Sequence, residues 1–313
     1  MRTPFLSPNR RVRPPSVPAA QHHGASDNLR GTLLMIASMA TFTCNDAVIK
    51  AVTQTLPLYE SVAIRGAAVL AMMVAVAQIQ QGGLRLSVAR QDRWPLVLRT
   101  AADIVSTVLY LLALRKMALA DLSAIMQALP LAVTLAAALV FRERLGWRRL
   151  LAIGIGFAGV ILILRPGTGA FDTWSVVALA SMALIVVRDI ATRLFSAGTG
   201  SSSIAFYAAL TVMLSGVVLG LGEETWRLPT GREFALLMLA SLFLTAGYIT
   251  AVATMRVGEI SFVAPFRYTS LLFAIVLGVL VFGEWPDMWT WTGSALVVGA
   301  GLYTILRERR TRG

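Results

Sequence analysis

Residues 107–123 read TVLYLLALRKMALADLS and residues 245–261 read TAGYITAVATMRVGEIS, so one pattern occurs twice at a shift of 138 positions. Each copy contains the end of an apolar helix, a tight polar turn and the start of the next helix. A match at a fixed period indicates an internal duplication. The matching positions are Thr107/Thr245, Tyr110/Tyr248, Ala113/Ala251, Met117/Met255, Asp121/Glu259 and Ser123/Ser261.

The duplication extends on both sides of this stretch. Downstream, the pattern Phe-x-Glu at 141–143 recurs at 282–284, where a long apolar run ends. Upstream, an acidic and a basic residue four positions apart recur at a shift of 143, namely Asp46/Lys50 and Asp189/Arg193. The two copies therefore cover most of the chain.

The amino-acid composition indicates whether the chain lies in water or in a lipid bilayer. Of 313 residues, 57% are hydrophobic and 14% are charged, with a mean hydropathy of +0.71. Soluble domains carry about 25% charged residues, so this chain is expected to be a membrane protein in contact with the lipid bilayer. The net charge of +12 would suggest nucleic acid in a soluble protein. Here the charges belong to membrane topology, and we expect no nucleic-acid partner.

Ten apolar segments follow the N-terminal region, and most have the roughly 20 residues that a helix needs to cross a bilayer. They are 31–51, 57–80, 94–116, 120–141, 147–164, 173–195, 202–221, 232–254, 259–282 and 288–306. Five helices per copy is an odd number, so the second copy enters the membrane from the opposite side. The sequence thus predicts an all-α integral membrane protein of ten transmembrane helices, built as two inverted five-helix repeats.

The chain divides into four parts on this basis. Five prolines between Pro4 and Pro18 and the lack of apolar periodicity predict a disordered tail at residues 1–29. The first repeat is expected at 30–165 and the second at 172–306, followed by a basic tail at 307–313.

Arginine distribution predicts the orientation in the membrane. If the N-terminus is cytoplasmic, the cytoplasmic regions hold most of the basic residues outside the spans, an asymmetry typical of inner-membrane proteins. We therefore expect both termini to lie in the cytoplasm. The arginines that give this bias are Arg85, Arg90, Arg93, Arg142, Arg144, Arg148, Arg149, Arg256, Arg307, Arg309, Arg310 and Arg312.

Several local features occur together within residues 30–306. They are Asn45-Asp46, Arg65, Pro130, the two Phe-x-Glu patterns, glycine-rich fifth helices, Pro265–Ser270 and Phe282–Pro286. In this combination the chain resembles the drug/metabolite transporter superfamily, and within it the ten-helix EamA-domain group. The resemblance extends to a bacterial subgroup that includes riboflavin and S-adenosylmethionine carriers. The resemblance implies a secondary transporter in the bacterial inner membrane that moves a small organic metabolite by alternating access. Riboflavin or a related vitamin or metabolite is the candidate solute that it implies.

Charged residues inside the apolar segments are expensive, at about 2.5–3.5 kcal/mol each at a helix centre, so they should face the protein interior and find partners. We assign gating or coupling roles to Asp46, Asp103, Arg65 and Asp189. Arg99 and Asp103 are four residues apart and are expected to pair. Arg65 is expected to anchor an acid such as Glu60. The alternative for Asp46/Lys50 and Asp189/Arg193 is structural or snorkelling charges near helix ends.

Polar stripes on helices three, four, eight and nine predict a central cavity between them. The proposed solute contacts are Tyr110, Tyr248, Gln127, Arg267, Tyr268, Ser123 and Ser261. The tyrosines would stack on or hydrogen-bond a planar solute, and Arg267 would attract negative charge. The alternative is that these side chains only hold helices together, as Ser, Thr and Gln often do in membranes.

Other motifs give no sign of an enzyme, a metal or a cofactor. Gly154–Gly159 spells G-x-G-x-x-G inside an apolar helix, where it indicates close helix packing rather than dinucleotide binding. The only histidines, His22 and His23, lie in the tail, and Cys44 is the only cysteine. No nucleotide-hydrolysis motif is present, so a proton or ion gradient would drive transport. The open alternatives are an exporter of amino acids or drugs, a membrane-embedded enzyme and a structural membrane protein.

Overall fold

The computed structural model describes residues 25–81, 86–143, 145–166, 172–196, 199–222, 226–257 and 259–312, and the secondary structure in these ranges is helical throughout. Short 3-10 turns at Arg90–Asp92 and Ala264–Tyr268 accompany twelve α-helices. These are α1 (Ala25–Val52), α2 (Leu58–Gln81), α3 (Arg93–Lys116), α4 (Leu119–Met126), α5 (Leu129–Phe141), α6 (Trp147–Leu164), α7 (Thr173–Arg193), α8 (Ser201–Gly220), α9 (Gly231–Val257), α10 (Ile260–Val263), α11 (Thr269–Phe282) and α12 (Met288–Arg312).

The twelve helices make ten spans, which confirms the predicted all-α fold. Two spans are each divided in two: α4 is followed by α5, and α10 is followed by α11. A proline lies at each break, Pro130 in the first turn of α5 and Pro265 in the 3-10 turn. Proline removes a backbone donor and clashes with the preceding turn, so an uninterrupted helix is disfavoured there. In the described ranges nine spans qualify as membrane-crossing by length and apolarity, and α12 supplies the tenth.

Both predicted tails are shorter than expected where the structure describes them. Helix α1 begins at Ala25, so residues 25–29 are helical and not part of a disordered tail. Helix α12 likewise continues to Arg312 through most of the predicted basic tail. No proline occurs between Pro18 and Pro57, and arginine is a good helix former, so nothing ends these helices at the membrane boundary. Residues 1–24, with both histidines, lie outside the described residues.

The two repeats pack crosswise. Helix α1 packs along α9, and its repeat-related counterpart is the packing of α7 along α3. Helices α2 and α8 pack against each other, as do α6 and α12. We name the two ends of the bundle by α1. The proximal face holds Asn28, whose side chain accepts from the Glu259 backbone N–H at 3.1 Å, and the distal face holds Lys50.

Apolar packing is concentrated in the distal half of the bundle. Leu114, Leu119, Leu122 and Ile125 have no measurable exposure, and Ile49 is only 2% exposed. These residues belong to the end of α1, the end of α3 and the whole of α4, which meet at the distal face. The bundle is therefore sealed on that side by close-packed side chains.

Helices α6 and α12 approach each other backbone to backbone. A Cβ atom added to Gly159 would lie 2.6 Å from the carbonyl oxygen of Gly293, closer than real Cβ contacts. A Cβ added to Gly154 would meet nothing within 4 Å. The G-x-G-x-x-G stretch is thus helical, and Gly159 is the glycine in it that helix packing against α12 requires.

Replacing Gly159 by alanine should therefore destabilise the protein, whereas Gly154→Ala serves as a matched control on the same helix. Overpacking of this kind costs about 1–3 kcal/mol. At the open position, the better helix propensity of alanine should leave stability unchanged or raise it by at most about 1 kcal/mol. Thermal unfolding of both variants in detergent, followed by tryptophan fluorescence, measures the difference. Equal midpoints for the two variants would contradict the packing assignment.

Candidate functional site

A hydrogen-bonded network joins α1, α2 and α3 in the interior of the bundle. The Tyr110 hydroxyl donates to Asp46 Oδ2 at 2.7 Å, and Asn45 Nδ2 donates to Asp46 Oδ1 at 3.0 Å. Arg65 Nη1 donates to Asn45 Oδ1 at 3.3 Å. We call these four residues the Asp46 network. Asn45 stands between the carboxylate of Asp46 and the guanidinium of Arg65, so the two charges share a partner without direct contact.

A second network joins α3 and α7, and we call it the Asp103 network. Arg188 Nη1 lies 3.2 Å from Asp103 Oδ1, and Arg188 Nη2 lies 2.9 Å from Asp189 Oδ1. Arg99 lies 3.9 Å from Asp103, as the spacing of four residues predicts, and its Nε donates to Thr192. The two acids and two arginines of this network therefore neutralise each other across the α3–α7 contact.

Tyr248 on α9 lies beside both networks and is exposed, although its neighbours on the same helix face are buried. It follows Leu237 by eleven residues and Ser241 by seven, so all three lie on one helix face. Leu237 and Ser241 have no measurable exposure, yet the Tyr248 side chain is 54% exposed. Its phenol is within electrostatic range of charged members of both networks, and its ring meets Phe42 edge-on at 5.3 Å. We infer that the exposed Tyr248 ring faces an internal cavity and not lipid.

Some predicted solute contacts are occupied by the protein itself. Gln127 is buried and donates through Nε2 to Ser270 Oγ, which joins the break between α4 and α5 to the start of α11. Tyr268 is 5% exposed, and its hydroxyl fills the space that a side chain at Gly301 would need. The geometry therefore does not support solute contacts by Gln127 and Tyr268, because helix packing uses both.

The remaining predicted contacts are dispersed. Arg267 is exposed on the 3-10 turn, and Ser123 is half-buried on α4. The Ser261 side chain lies outside the part of the chain whose side chains are described. A cavity at Tyr248 would be bordered by the two networks and hence by α1, α2, α3, α7 and α9. Of the predicted wall, helices three and eight, which are α3 and α9, lie at this place, where charged residues of α1, α2 and α7 also converge.

Other members of the predicted polar stripes hold helices together. Ser181 on α7 donates to the Ser106 carbonyl oxygen on α3 at 2.9 Å. Ser241 on α9 is hydrogen-bonded to the Arg65 carbonyl oxygen on α2 at 3.3 Å. The predicted stripes thus contain hydroxyls that join helices, whereas Tyr110 and Tyr248 lie in or beside the charged networks.

Sequence reasoning missed two residues of the site and misassigned one partner. Asn45 bridges the charges, and its signal was an amide inside an apolar segment; Phe42 gave no signal distinct from packing. The predicted pairing of Arg65 with Glu60 is wrong. Glu60 lies at the distal start of α2 and accepts from the Arg227 backbone N–H at 3.2 Å, more than one helical turn away from Arg65.

A buried ion pair closes the distal face. Lys50 is 4% exposed, and its Nζ lies 2.5 Å from Glu284 Oε1 and donates to the Met117 carbonyl oxygen at 2.6 Å. Glu284 Oε2 accepts from the Leu119 backbone N–H at 2.8 Å. We call the Lys50–Glu284 pair the distal clamp. It joins α1, the α3–α4 turn and the end of α11, so Lys50 is a buried structural charge and does not snorkel.

The repeat-related counterpart of this clamp is open. At shifts of 143 and 141, Lys50 and Glu284 correspond to Arg193 and Glu143 at the proximal face. Both Arg193 and Glu143 are exposed. Two equivalent places in an inverted duplication are therefore in different states, closed at the distal face and open at the proximal face.

A second repeat-related contact is present at both faces. At the proximal face, Asp92 before α3 accepts from Thr199 Oγ1 at 2.5 Å and Ser196 N–H at 3.1 Å. At the distal face, Glu233 in α9 binds Arg227 at 2.6 Å and Thr55 at 2.8 Å. The bonds to Glu233 raise the pKa of Arg227. Because this contact is kept on both sides, the asymmetry lies in the clamp and not in the whole bundle.

Comparison with known families identifies the duplicated unit. The EamA-like transporter family matches residues 29–165 and again residues 172–306. The chain belongs to the EamA-like transporter family. The family consists of transporters and not enzymes, which agrees with the lack of a catalytic motif in the sequence.

Named relatives of this EamA-family chain are distant. A riboflavin transporter of Vibrio cholerae is 25% identical over 86% of the chain and 91% of its own length. The pseudopaline exporter CntI of Pseudomonas aeruginosa is 28% identical over 86% of the chain and 94% of its own. An S-adenosylmethionine uptake transporter of Rickettsia prowazekii is 24% identical over 59% of the chain, and the match spans 62% of that transporter's length.

A solved crystal structure supports the fold independently of these names. It superposes with a TM-score of 0.64 over 91% of the chain and 99% of its own length, at 21% sequence identity. At that identity the likeness concerns the fold alone.

The contribution of the distal clamp to the stability of the protein can be tested by mutating Glu284. Glu284→Gln keeps the side-chain shape but leaves the Lys50 charge without its anion, and breaking a buried pair in this way costs about 3–5 kcal/mol. The unfolding midpoint in detergent should fall by several degrees. Glu143→Gln, at the exposed counterpart, is the matched control and should leave the midpoint unchanged. A similar loss in both variants would show that the clamp contributes nothing specific.

Proposed function

We propose that this EamA-family protein is a secondary transporter that moves a small organic metabolite through the cavity beside Tyr248 by alternating access. The observation that carries the proposal is the closed distal clamp, with its repeat-related counterpart open at the proximal face. Inverted repeats can exchange conformations, so one structure contains both states of the same element. In the alternate state, Arg193 and Glu143 would close on the α9–α10 turn while Lys50 and Glu284 separate.

The location and orientation follow from the basic residues. Arg142, Arg148, Arg149 and Arg307 belong to the proximal end of the bundle, which the arginine bias assigns to the cytoplasm. The protein would lie in the bacterial inner membrane with both termini inside. The conformation described here is then open toward the cytoplasm and closed toward the outside.

The driving force would be an ion gradient, with an intramembrane acid as the coupling group. Asp103 and Asp189 both contact Arg188, so their negative charges are already compensated. Among the described residues, the direct partners of Asp46 are Tyr110 and Asn45, and each donates a hydrogen bond to its carboxylate. Asp46 is therefore the acid best placed to exchange a proton or a cationic group during the cycle.

The aromatic and charged residues beside Tyr248 suggest which solutes the protein could carry. The aromatic rings of Tyr110, Tyr248 and Phe42 suit a solute with a planar ring, and riboflavin is one such candidate among the molecules that relatives are named for. An exporter of amino acids or drugs is the second candidate. It is favoured by the opposite charges in the Asp46 network, which a neutral ring system would not use.

Transport should depend on Tyr248. Counterflow into proteoliposomes is measured with riboflavin, S-adenosylmethionine, amino acids and nucleosides. For the solute that is carried, Tyr248→Ala should raise the half-saturating concentration about 2- to 12-fold, which corresponds to the roughly 0.5–1.5 kcal/mol of an aromatic contact. Tyr303→Ala is the control, since Tyr303 is similarly exposed but lines an apolar groove between α6 and α12. An equal effect of both changes would remove Tyr248 from the pathway.

Alternating access predicts that opening of the distal clamp exposes residues packed beneath it. In a Cys44→Ser background, Ile49→Cys places a thiol at a position that is 2% exposed in this structure. A membrane-impermeant maleimide added from the distal side should label it slowly. Adding Glu284→Gln should accelerate labelling, and adding Glu143→Gln should not. Labelling that is insensitive to Glu284→Gln would contradict the assignment of the clamp as a gate.

A further inference from the structure

Asp46 and Arg65 are opposite charges in the bundle interior that are held apart. Six ion pairs within 4.0 Å occur among the described residues, and neither Asp46 nor Arg65 takes part in one. Asn45 lies between them and bonds to both. Arg65 is only 8% exposed. A buried charge is costly unless it is paired, so this separation calls for a reason.

The two side chains have unused capacity of complementary kinds. A guanidinium has five N–H donors in a planar fork that matches a carboxylate, and Asn45 engages one of those of Arg65. A carboxylate has about four acceptor sites, and Tyr110 and Asn45 use two of those of Asp46. Arg65 can therefore bind a carboxylate while Asp46 binds an ammonium group.

The Asp103 network shows how interior charges are arranged when acids and arginines pair directly. There Arg188 contacts both acids directly, and the four charges of the network sum to zero. The Asp46 network has the same sum of charge, one negative and one positive, but keeps the two apart. A ligand that carries both charges preserves neutrality in the low-dielectric interior, whereas a simple anion or cation would leave one protein charge uncompensated.

We propose that Asp46 and Arg65 form a subsite for a zwitterionic head group, binding the ammonium and the carboxylate of an amino-acid-type solute. Tyr110 fixes the Asp46 carboxylate through its 2.7 Å hydrogen bond, and Asn45 sets the spacing of the two charges. The body of the solute lies against Tyr248 and Phe42. This inference rests on the proposed transport function and names its solute class.

Three probes with one ring separate the contributions of the two charges. Tryptophan is a zwitterion, tryptamine carries only the amine, and indole-3-propionate carries only the carboxylate. S-adenosylhomocysteine and 5′-methylthioadenosine, both neutral at sulfur, form a second matched pair, with and without the amino-acid head group. Binding is measured by thermal stabilisation of the purified protein in detergent across a concentration series. In at least one series the zwitterion should bind at least tenfold more tightly than every analogue that lacks a charge.

Two variants then assign each charge to its partner. In Asp46→Asn the ammonium should no longer contribute, so the affinity for tryptophan should fall to that for indole-3-propionate. In Arg65→Gln it should fall to that for tryptamine. Asp287→Asn, at the distal surface, should leave the selectivity unchanged. A merely structural role would weaken all three probes alike, and that result would overturn the proposal. If the variants fail to fold, the wild-type selectivity series decides alone.

Failure of this inference is distinguishable from failure of the transport function. Stabilisation and counterflow by riboflavin or by singly charged analogues, with no preference for zwitterions, would overturn the subsite and keep the transporter. No response to any zwitterion at saturating concentration would overturn the subsite as well. Absence of counterflow for every solute, with folded protein in the vesicles, would count against the transport function itself.

Discussion

The structure depends on the need of a buried ammonium group for a counter-ion. Lys50 sits near the end of α1 among fully buried apolar side chains, and Glu284 from the other repeat lies 2.5 Å away. The same carboxylate accepts from the first backbone N–H of α4, which has no partner within its own helix. One ion pair thus ties both repeats and a helix end together at the distal face.

The internal duplication connects the closed distal clamp with the proposed movement between two conformations. Each repeat contributes an acid from its Phe-x-Glu and a base from its first helix, so the clamp residues exist twice on opposite faces. The cavity would be inaccessible if both clamps were closed and continuous across the membrane if both were open. The proposed alternating access requires one closed and one open clamp. In this structure Lys50 and Glu284 are buried or half-buried, and Arg193 and Glu143 are exposed.

The interior charges divide into two kinds by their partners. Asp103 and Asp189 are neutralised by Arg188 and bind α3 to α7, so their cost is offset by helix packing. Asp46 and Arg65 are separated by Asn45, and we propose that they bind the two charges of a solute. In this proposal, the distance between opposite charges, more than their presence, distinguishes a structural network from a binding site. The Tyr248 phenol lies within electrostatic range of charged residues of both networks.

The sequence by itself determined the membrane environment, the number of spans and the inverted duplication. The length of the apolar segments and the spacing of the repeats can be read directly along the chain. It also found the charged residues and the Arg99–Asp103 pair, which are four residues apart on one helix. Only the tertiary structure decided that Lys50 meets Glu284 and that Gln127 meets Ser270. These partners are 234 and 143 residues apart, and spacing along the chain carries no information about which helices meet.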